Sequence, residues 1–312
     1  MILLVPRGGG PVQGAPSAIA LFGSGRVGSA VLEALEAPGD LLPAVLPFTW
    51  SKPGGLAAEG REVVARAARA AAPGGRAAVV WCAGACGFSA TEEATRAEMA
   101  AFLEVLGLAR ALASRGDVEV DFHLLSSAGG IFEGRTDVGP GDPPGPRRPY
   151  GRLKLEQEVR AAAEGGLRAR IYRVASVYGP LRPGYRMGLV CTLVANTAAD
   201  RVTPIFGDLE TRRDYVLSRD VGEAVARGVR EGGGARAPRT LLLASGRATT
   251  IREAVEVVGR VLGRAPRVEV APSGENSSPI SFSPRALPEG FRPVDLESGV
   301  RIVRDDLKSL SQ

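Results

Sequence analysis

Ser17-Ala18-Ile19-Ala20-Leu21-Phe22-Gly23-Ser24-Gly25-Arg26-Val27-Gly28, continued by Ser29 to Ala37, is the stretch that decides the fold. An apolar run of strand length meets glycines spaced Gly23-x-Gly25-x-x-Gly28, and the residues after them carry Val31, Leu32 and Leu35 on one helical face. In a strand–turn–helix unit of this kind the first glycine permits the tight turn and the second lets backbone approach a pyrophosphate. The third lets the helix close on the strand, and the free amides of the helix N-terminus favour an anion. Gly23, Gly25, Arg26, Val27 and Gly28 are therefore expected to bind a dinucleotide.

Outward from this unit the chain alternates strand and helix. Leu41 to Phe48 reads as the second strand, whose end should carry an acidic residue for the adenosine ribose of NAD. The sequence gives Thr49, Trp50, Ser51 and Lys52 instead. A hydroxyl beside a cation at Ser51 and Lys52, with help from Arg26, suits the 2′-phosphate of NADP, so the cofactor expectation is NADP or NAD with a lean to NADP. A plain loop with the ribose held by backbone fits the same residues. Leu56 to Ala72 reads as a helix and Ala77 to Cys82 as a buried strand; Ala83 and Gly84 after it are small enough for a cofactor to lie against the chain. A long helix from Ala90 to Ser114 follows. Then Val118 to Leu125 reads as a strand running into Ser126-Ser127-Ala128-Gly129-Gly130, which puts hydroxyls at the carboxyl edge of the sheet, where open α/β sheets hold ligands.

Gly134 to Pro149 is a Pro- and Gly-rich loop fit to be a site wall, and Tyr150 to about Glu164 is a helix followed by a strand at Leu167 to Val174. Beyond Leu181 the alternation breaks down. The fold expected is α/β: a Rossmann-type doubly wound parallel sheet over residues 17–180, with a smaller C-terminal substrate lobe over 181–312 from which roughly 215–245 returns to the sheet. Met1 to Pro16, rich in Gly and Pro and without a period, reads as a flexible N-terminal extension.

Tyr150 and Lys154 stand i, i+4 on their helix, on one face. An ammonium beside a phenol stabilises the phenolate and draws its pKa from about 10 toward neutrality. Such a phenol can trade a proton with a substrate hydroxyl, which is carbinol/carbonyl chemistry.

Composition narrows the field. The 312 residues carry a net charge of +5, but the arginines are scattered and no aromatic residues interleave with them, which argues against nucleic-acid binding. Cys82, Cys86 and Cys191 are an odd set and His123 is the sole histidine, so neither a disulfide framework nor a zinc site is expected and no metal is assigned. With no signal-peptide core and no long apolar segment, the expectation is a cytoplasmic protein that does not associate with membranes.

A serine at a strand end, Tyr150 and Lys154 on the next helix, and the opening glycine turn together resemble the short-chain dehydrogenase/reductase superfamily. Further pieces, Ile131-Phe132-Glu133-Gly134, Arg173 to Pro180, Ile205-Phe206-Gly207-Asp208, Arg213-Asp214-Tyr215 and Arg219-Asp220-Val221, occur in the order of its extended branch, the sugar-nucleotide epimerases, dehydratases and reductases. The resemblance implies a nucleotide-activated sugar as substrate. It implies Tyr150 as acid/base, Lys154 as the residue that tunes Tyr150 and holds the nicotinamide ribose, and Ser127 as hydrogen-bond partner of the reacting oxygen. Ser126 is the rival for that last role, Arg213 would contact the substrate diphosphate, and Ser176 stands where many relatives place a substrate-binding Asn. Ala128-Gly129-Gly130 replaces the acidic pair of a dehydratase, and Glu98 or a neighbour stands in the region of the family's helix Asn. The family often pairs as a homodimer. Epimerisation is the leading expectation, with an NADPH-dependent ketoreductase as alternative and a non-catalytic dinucleotide sensor of the same fold as a rival.

Overall fold

The computed structural model describes residues 1–7, 16–46, 56–71, 74–232, 238–271, 273 and 278–309. The chain opens with β1 (Ile2–Pro6), β2 (Ala18–Phe22), α1 (Arg26–Glu36), β3 (Leu41–Val45), α2 (Leu56–Ala70), β4 (Gly75–Trp81) and α3 (Glu92–Ala113). It continues with β5 (Val118–Ser127), α4 (Ala128–Ile131), α5 (Pro149–Ala163), β6 (Arg168–Val174), β7 (Ser176–Tyr178), α6 (Leu189–Ala198) and β8 (Val202–Phe206). β9 (Arg212–Arg213), β10 (Tyr215–Leu217), α7 (Ser218–Glu231), β11 (Arg239–Leu243), β12 (Thr249–Thr250), α8 (Ile251–Leu262), β13 (Arg267–Ala271) and α9 (Leu296–Ser309) complete it.

The seven-stranded central sheet has the order β11-β6-β5-β4-β2-β1-β3. The five strands from β11 to β2 are parallel, as strands fed by helical crossovers must be. For Ile2–Pro6 the first strand corrects the expectation of a flexible extension, the rest of which, residues 8–15, lies outside the described residues. Ile2–Pro6 pairs antiparallel with both β2 and β3, inserted between them. Its sequence explains why: in Ile2-Leu3-Leu4-Val5 successive apolar side chains point to opposite faces, and Leu3 and Leu4 are buried in the two separate cores on either side of the sheet. The insertion moves β3 one strand spacing, about 4.8 Å, further from the glycine turn, and β3 becomes an edge strand exposed from Leu42 to Val45.

Helices α1 and α7 cover one face of the sheet, and α2 and α3 with part of α5 cover the other. α1 and α7 meet closely at Gly222, where a Cβ would stand 2.4 Å from the Ala30 carbonyl oxygen; Arg230 clamps the pair by a two-pronged contact with Asp40 at 2.8 and 2.9 Å. A third core, built from α6, α8 and α9 with Tyr178, Tyr215 and Leu217, makes the small lobe. Short ribbons pair β7 with β10, β9 with β12 and β8 with β13. The ribbon β7–β10 continues directly from β6, so the carboxyl edge of the sheet runs into the lobe. Among the described residues no helix is long and apolar enough to cross a membrane, and no cluster of side chains suited to a metal ion is present. Cys82, Cys86 and Cys191 are free thiols.

Candidate active site

The glycine turn is shaped by contacts that only glycine tolerates. Gly23 has φ +100°, and a Cβ there would lie 2.6 Å from the Ala83 nitrogen. A Cβ on Gly28 would meet the Gly23 carbonyl and approach Cys82, so this glycine lets α1 sit down on the ends of β2 and β4. Gly25, the N-cap of α1, faces open space, no side chain caps the helix, and its first turn holds no acidic residue. Uncapped amides beside an open cradle suit a phosphate. Val27 packs against the core, which leaves its backbone as the part able to face that cradle.

Arg26 is committed to partners within the protein. Its guanidinium donates to the carbonyls of Gly179 at 2.6 Å and Pro180 at 2.7 Å and to that of Arg186 at 3.1 Å, and it lies over the Tyr185 ring. Tyr185 in turn donates to the Ser29 hydroxyl at 2.5 Å, and the Arg186 guanidinium donates to the Ala85 carbonyl. The segment 181–187 is thus a strap running across the glycine turn to the loop after β4. Ser51 and Lys52 lie outside the described residues, so with Arg26 committed elsewhere the lean to NADP has no support among the described side chains.

The proton-transfer residues follow from β5, α4 and α5. At the end of β5 the period of two sends Ser126 and Ser127 to opposite faces. Ser126 is buried and donates to Glu158 at 2.6 Å, and Glu158 is itself paired with Arg173 at 2.7 Å. The Ser126 hydroxyl proton is thus committed to Glu158, on the face of β5 opposite Ser127. The Ser127 hydroxyl accepts the Gly130 N–H at 3.1 Å, and a Cβ on Gly130 would lie 3.0 Å from the Tyr150 ring, so Ser127 and Tyr150 share Gly130 as a neighbour. Phe88 walls the other side of Tyr150, with ring centroids 5.8 Å apart, and Arg148 lies over Phe88 while its Nε donates to Glu133 at 2.7 Å. One turn further along α5, the Lys154 ammonium stands 5.8 Å from the Tyr150 ring centroid. It is buried and donates to Glu98 at 2.7 Å and to Gln157 at 3.1 Å. Gly84 completes the path back to the glycine turn, since a Cβ there would lie 3.2 Å from the Glu98 carboxylate and 3.4 Å from the Lys154 nitrogen. Ala83, next to it, touches Gly23.

On the lobe side, Arg213 ends β9 and donates to the carbonyls of Arg212 and Ser278. Burial draws its pKa down, against the opposing influence of Tyr215 and Glu133. A poorly hydrated guanidinium gains much from an anionic ligand. Ser176 lies beside it, because β7 and β10 pair Ser176 with Tyr215 and the Ser176 N–H donates to the Asp214 carbonyl at 2.9 Å. Asp214 is buried and accepts from the N–H groups of Ser245 and Gly246 and from the Ser245 hydroxyl at 2.6–2.9 Å, which fixes the backbone that carries Arg213. Burial pushes the Asp214 pKa up to about 6 despite those bonds. The loop expected to wall the site is pinned to the C-terminal segment: Val138 bridges Phe282, and backbone bonds tie 135–138 to Ser281 and Ser283.

Glu98, Gln157, Phe88, Arg148 and the strap residues Tyr185 and Arg186 escaped the sequence reading of the site. Only Glu98 left a trace, as an acid in the region of the expected Asn. The others acquire a role only through tertiary contact.

The profile of the NAD dependent epimerase/dehydratase family matches residues 23–243. Comparison of the sequence with curated proteins yields no significant match. Among solved structures, the chain is similar to the UDP-glucose 4-epimerase of Thermus thermophilus solved with NAD, at TM-score 0.74 and 23% identity over 93% of this chain and 98% of that one. It is also similar to the UDP-glucose 4-epimerase of Thermotoga maritima solved with UDP-glucose, at TM-score 0.70 and 22% identity over 94% and 99% of the chains. RMD from Pseudomonas aeruginosa, solved with NADPH, aligns at TM-score 0.69 and 20% identity over 93% and 99%. The glycine turn, the Ser127–Tyr150–Lys154 constellation and a family match spanning most of the sequence lead to one conclusion: this chain is an enzyme of the NAD dependent epimerase/dehydratase family.

Proposed function

We propose that the protein is an epimerase that inverts a ring carbon of a nucleotide-activated sugar by reversible hydride transfer. A bound nicotinamide dinucleotide supplies the hydride acceptor and donor. The residues fit that group: Gly23, Gly25 and Gly28 with the uncapped start of α1 would hold its pyrophosphate, and Lys154 and Gly84 would border its ribose. Tyr150 takes the proton from the substrate hydroxyl as the ring carbon is oxidised and gives it back on reduction, and Ser127 donates a hydrogen bond to the same oxygen. Arg213 holds the diphosphate, with Ser176 beside it. No carboxylate of the family's dehydratase type stands at 128–130, so loss of water has no evident general acid there.

The observation that carries the reading is a juxtaposition: Gly84 backs onto the Lys154 ammonium, that ammonium stands 5.8 Å from the Tyr150 ring centroid, and Gly130 lies between Tyr150 and Ser127. Epimerisation is favoured over net reduction by the strap, because Arg26, Tyr185 and Arg186 tie 181–187 across the glycine turn, and a dinucleotide held at that turn would be hindered from leaving between half-reactions. The test is to purify the protein, determine any carried nicotinamide by absorbance and mass, and assay UDP-sugars with no cofactor added. Interconversion under those conditions supports the epimerase; a strict requirement for added NADPH, consumed in step with product, favours the ketoreductase. The RMD likeness and the absence of an acidic residue after β3 keep that second reading in the test. A homodimer and a cytoplasmic location remain proposals, to be checked by light scattering and by fractionation.

A further inference from the structure

Lys154 is held from behind by a buried carboxylate. Its ammonium has three N–H donors, of which Glu98 takes one at 2.7 Å and Gln157 another at 3.1 Å. The other oxygen of Glu98 accepts the Cys86 N–H at 2.9 Å, which locks the carboxylate from the β4 loop. Both charges are nearly inaccessible, with Lys154 5% and Glu98 8% exposed. Burial would push the Glu98 carboxyl up, but the Lys154 charge and hydrogen bond, with the Cys86 contacts, outweigh it and hold it below the usual range. The other ionisable groups nearby are Arg148 at the start of the same helix, paired with Glu133, and Cys86, which faces Glu98 and Lys154 from the loop after β4 together with Arg186.

We infer that Glu98 is a positioning residue acting through Lys154: it fixes the ammonium by an ion pair, aims the remaining N–H at the cofactor, and offsets the charge that Tyr150 feels. The inference rests on the acid/base reading above. An ammonium whose charge is shared with a carboxylate stabilises a phenolate less than a bare one does, so removing the carboxylate charge should show in the pH profile of turnover.

Glu98→Gln keeps the shape and the acceptor while removing the charge. The rising limb of kcat/KM against pH for sugar oxidation should then move down by roughly one pH unit, with KM for the sugar nucleotide unchanged. Glu98→Ala should free the ammonium and weaken dinucleotide binding in calorimetry by about tenfold, and Glu98→Asp should restore part of it. An unmoved limb in folded Glu98→Gln, or in Glu98→Ala if the Gln variant does not fold, overturns the inference, as does unchanged dinucleotide affinity in Glu98→Ala. An unsubstituted enzyme that binds dinucleotide but turns over no sugar nucleotide would instead refute the epimerase reading, and the calorimetry would still decide for or against Glu98.

Discussion

The two walls of the crevice are built differently. The wall that would hold the dinucleotide comes from the adjacent strands β2, β4 and β5 and the helices α1 and α5, and is set by close backbone approach at Gly23 and Gly28 and by glycines that leave room for side chains at Gly84 and Gly130. The wall that the proposed function gives to the substrate is gathered from β7, β9, the 134–149 loop and the C-terminal segment, and its cation, Arg213, is fixed by carbonyls and by the Asp214 anchor. A wall defined by backbone has little freedom to vary, whereas one defined by side chains on short ribbons can be refitted to a different sugar without disturbing the sheet. The chemistry is accordingly expected to be intolerant of change, and the substrate preference adjustable.

Tyr150→Phe tests the rigid wall hardest. Removing the acid/base should lower kcat by ~10²–10⁴-fold while dinucleotide affinity, measured by calorimetry, holds. Retention of turnover would mean that the proton travels by another group and that the two walls do not divide the work as described. Ser127→Ala should follow with a fall of about 10²-fold in kcat. Its neighbour gives the contrast: Ser126→Ala removes a hydrogen bond to the charged Glu158, and should cost about 1.5–3 kcal/mol of stability in denaturant melts while leaving kcat in place.

Those two serines also show what was legible in the sequence. Strand, glycine turn and helix are local patterns, so Gly23 to Gly28, a serine pair at a strand end, and the i, i+4 pair of Tyr150 and Lys154 could be read from spacing and order. Parity at the end of a strand could not: Ser126 and Ser127 differ only in the face to which they point, and that register is set by pairing with β4 and β6. β1 was missed because its apolar run is short and precedes a Gly- and Pro-rich stretch, and its burial needs both β2 and β3 as partners. Arg26 was misjudged for a similar reason. Its carbonyl partners at Gly179, Pro180 and Arg186 lie more than 150 residues away along the chain, where no periodicity reports them.

On the adjustable wall the expected effects are smaller. Arg213→Ala should raise KM for a sugar nucleotide by roughly 10–100-fold with kcat nearly constant, as loss of a charge-assisted hydrogen bond to phosphate implies. A keto compound without a diphosphate should be indifferent to the change. Equal effects on both would place Arg213 outside the substrate site and would dissolve the distinction between the walls on that side.

Asp214 gives the mildest test, through stability rather than rate. Its folded pKa, about 6, exceeds the 3.8 of an unperturbed aspartate, so the folded state binds the proton more tightly than the unfolded chain does. Stability from this group is therefore full below the unfolded value and is lost as pH rises through about 6, opposite to the usual salt-bridged carboxylate. Asp214→Asn cannot ionise, so any change in its hydrogen bonding is independent of pH, and only the wild type should lose this increment. The melting temperature of the wild type minus that of Asp214→Asn should then fall by a few degrees between pH 4 and pH 7. A constant difference would mean that the Ser245 and Gly246 donors compensate the buried charge fully, leaving the anchor of Arg213 as firm at neutral pH as in acid.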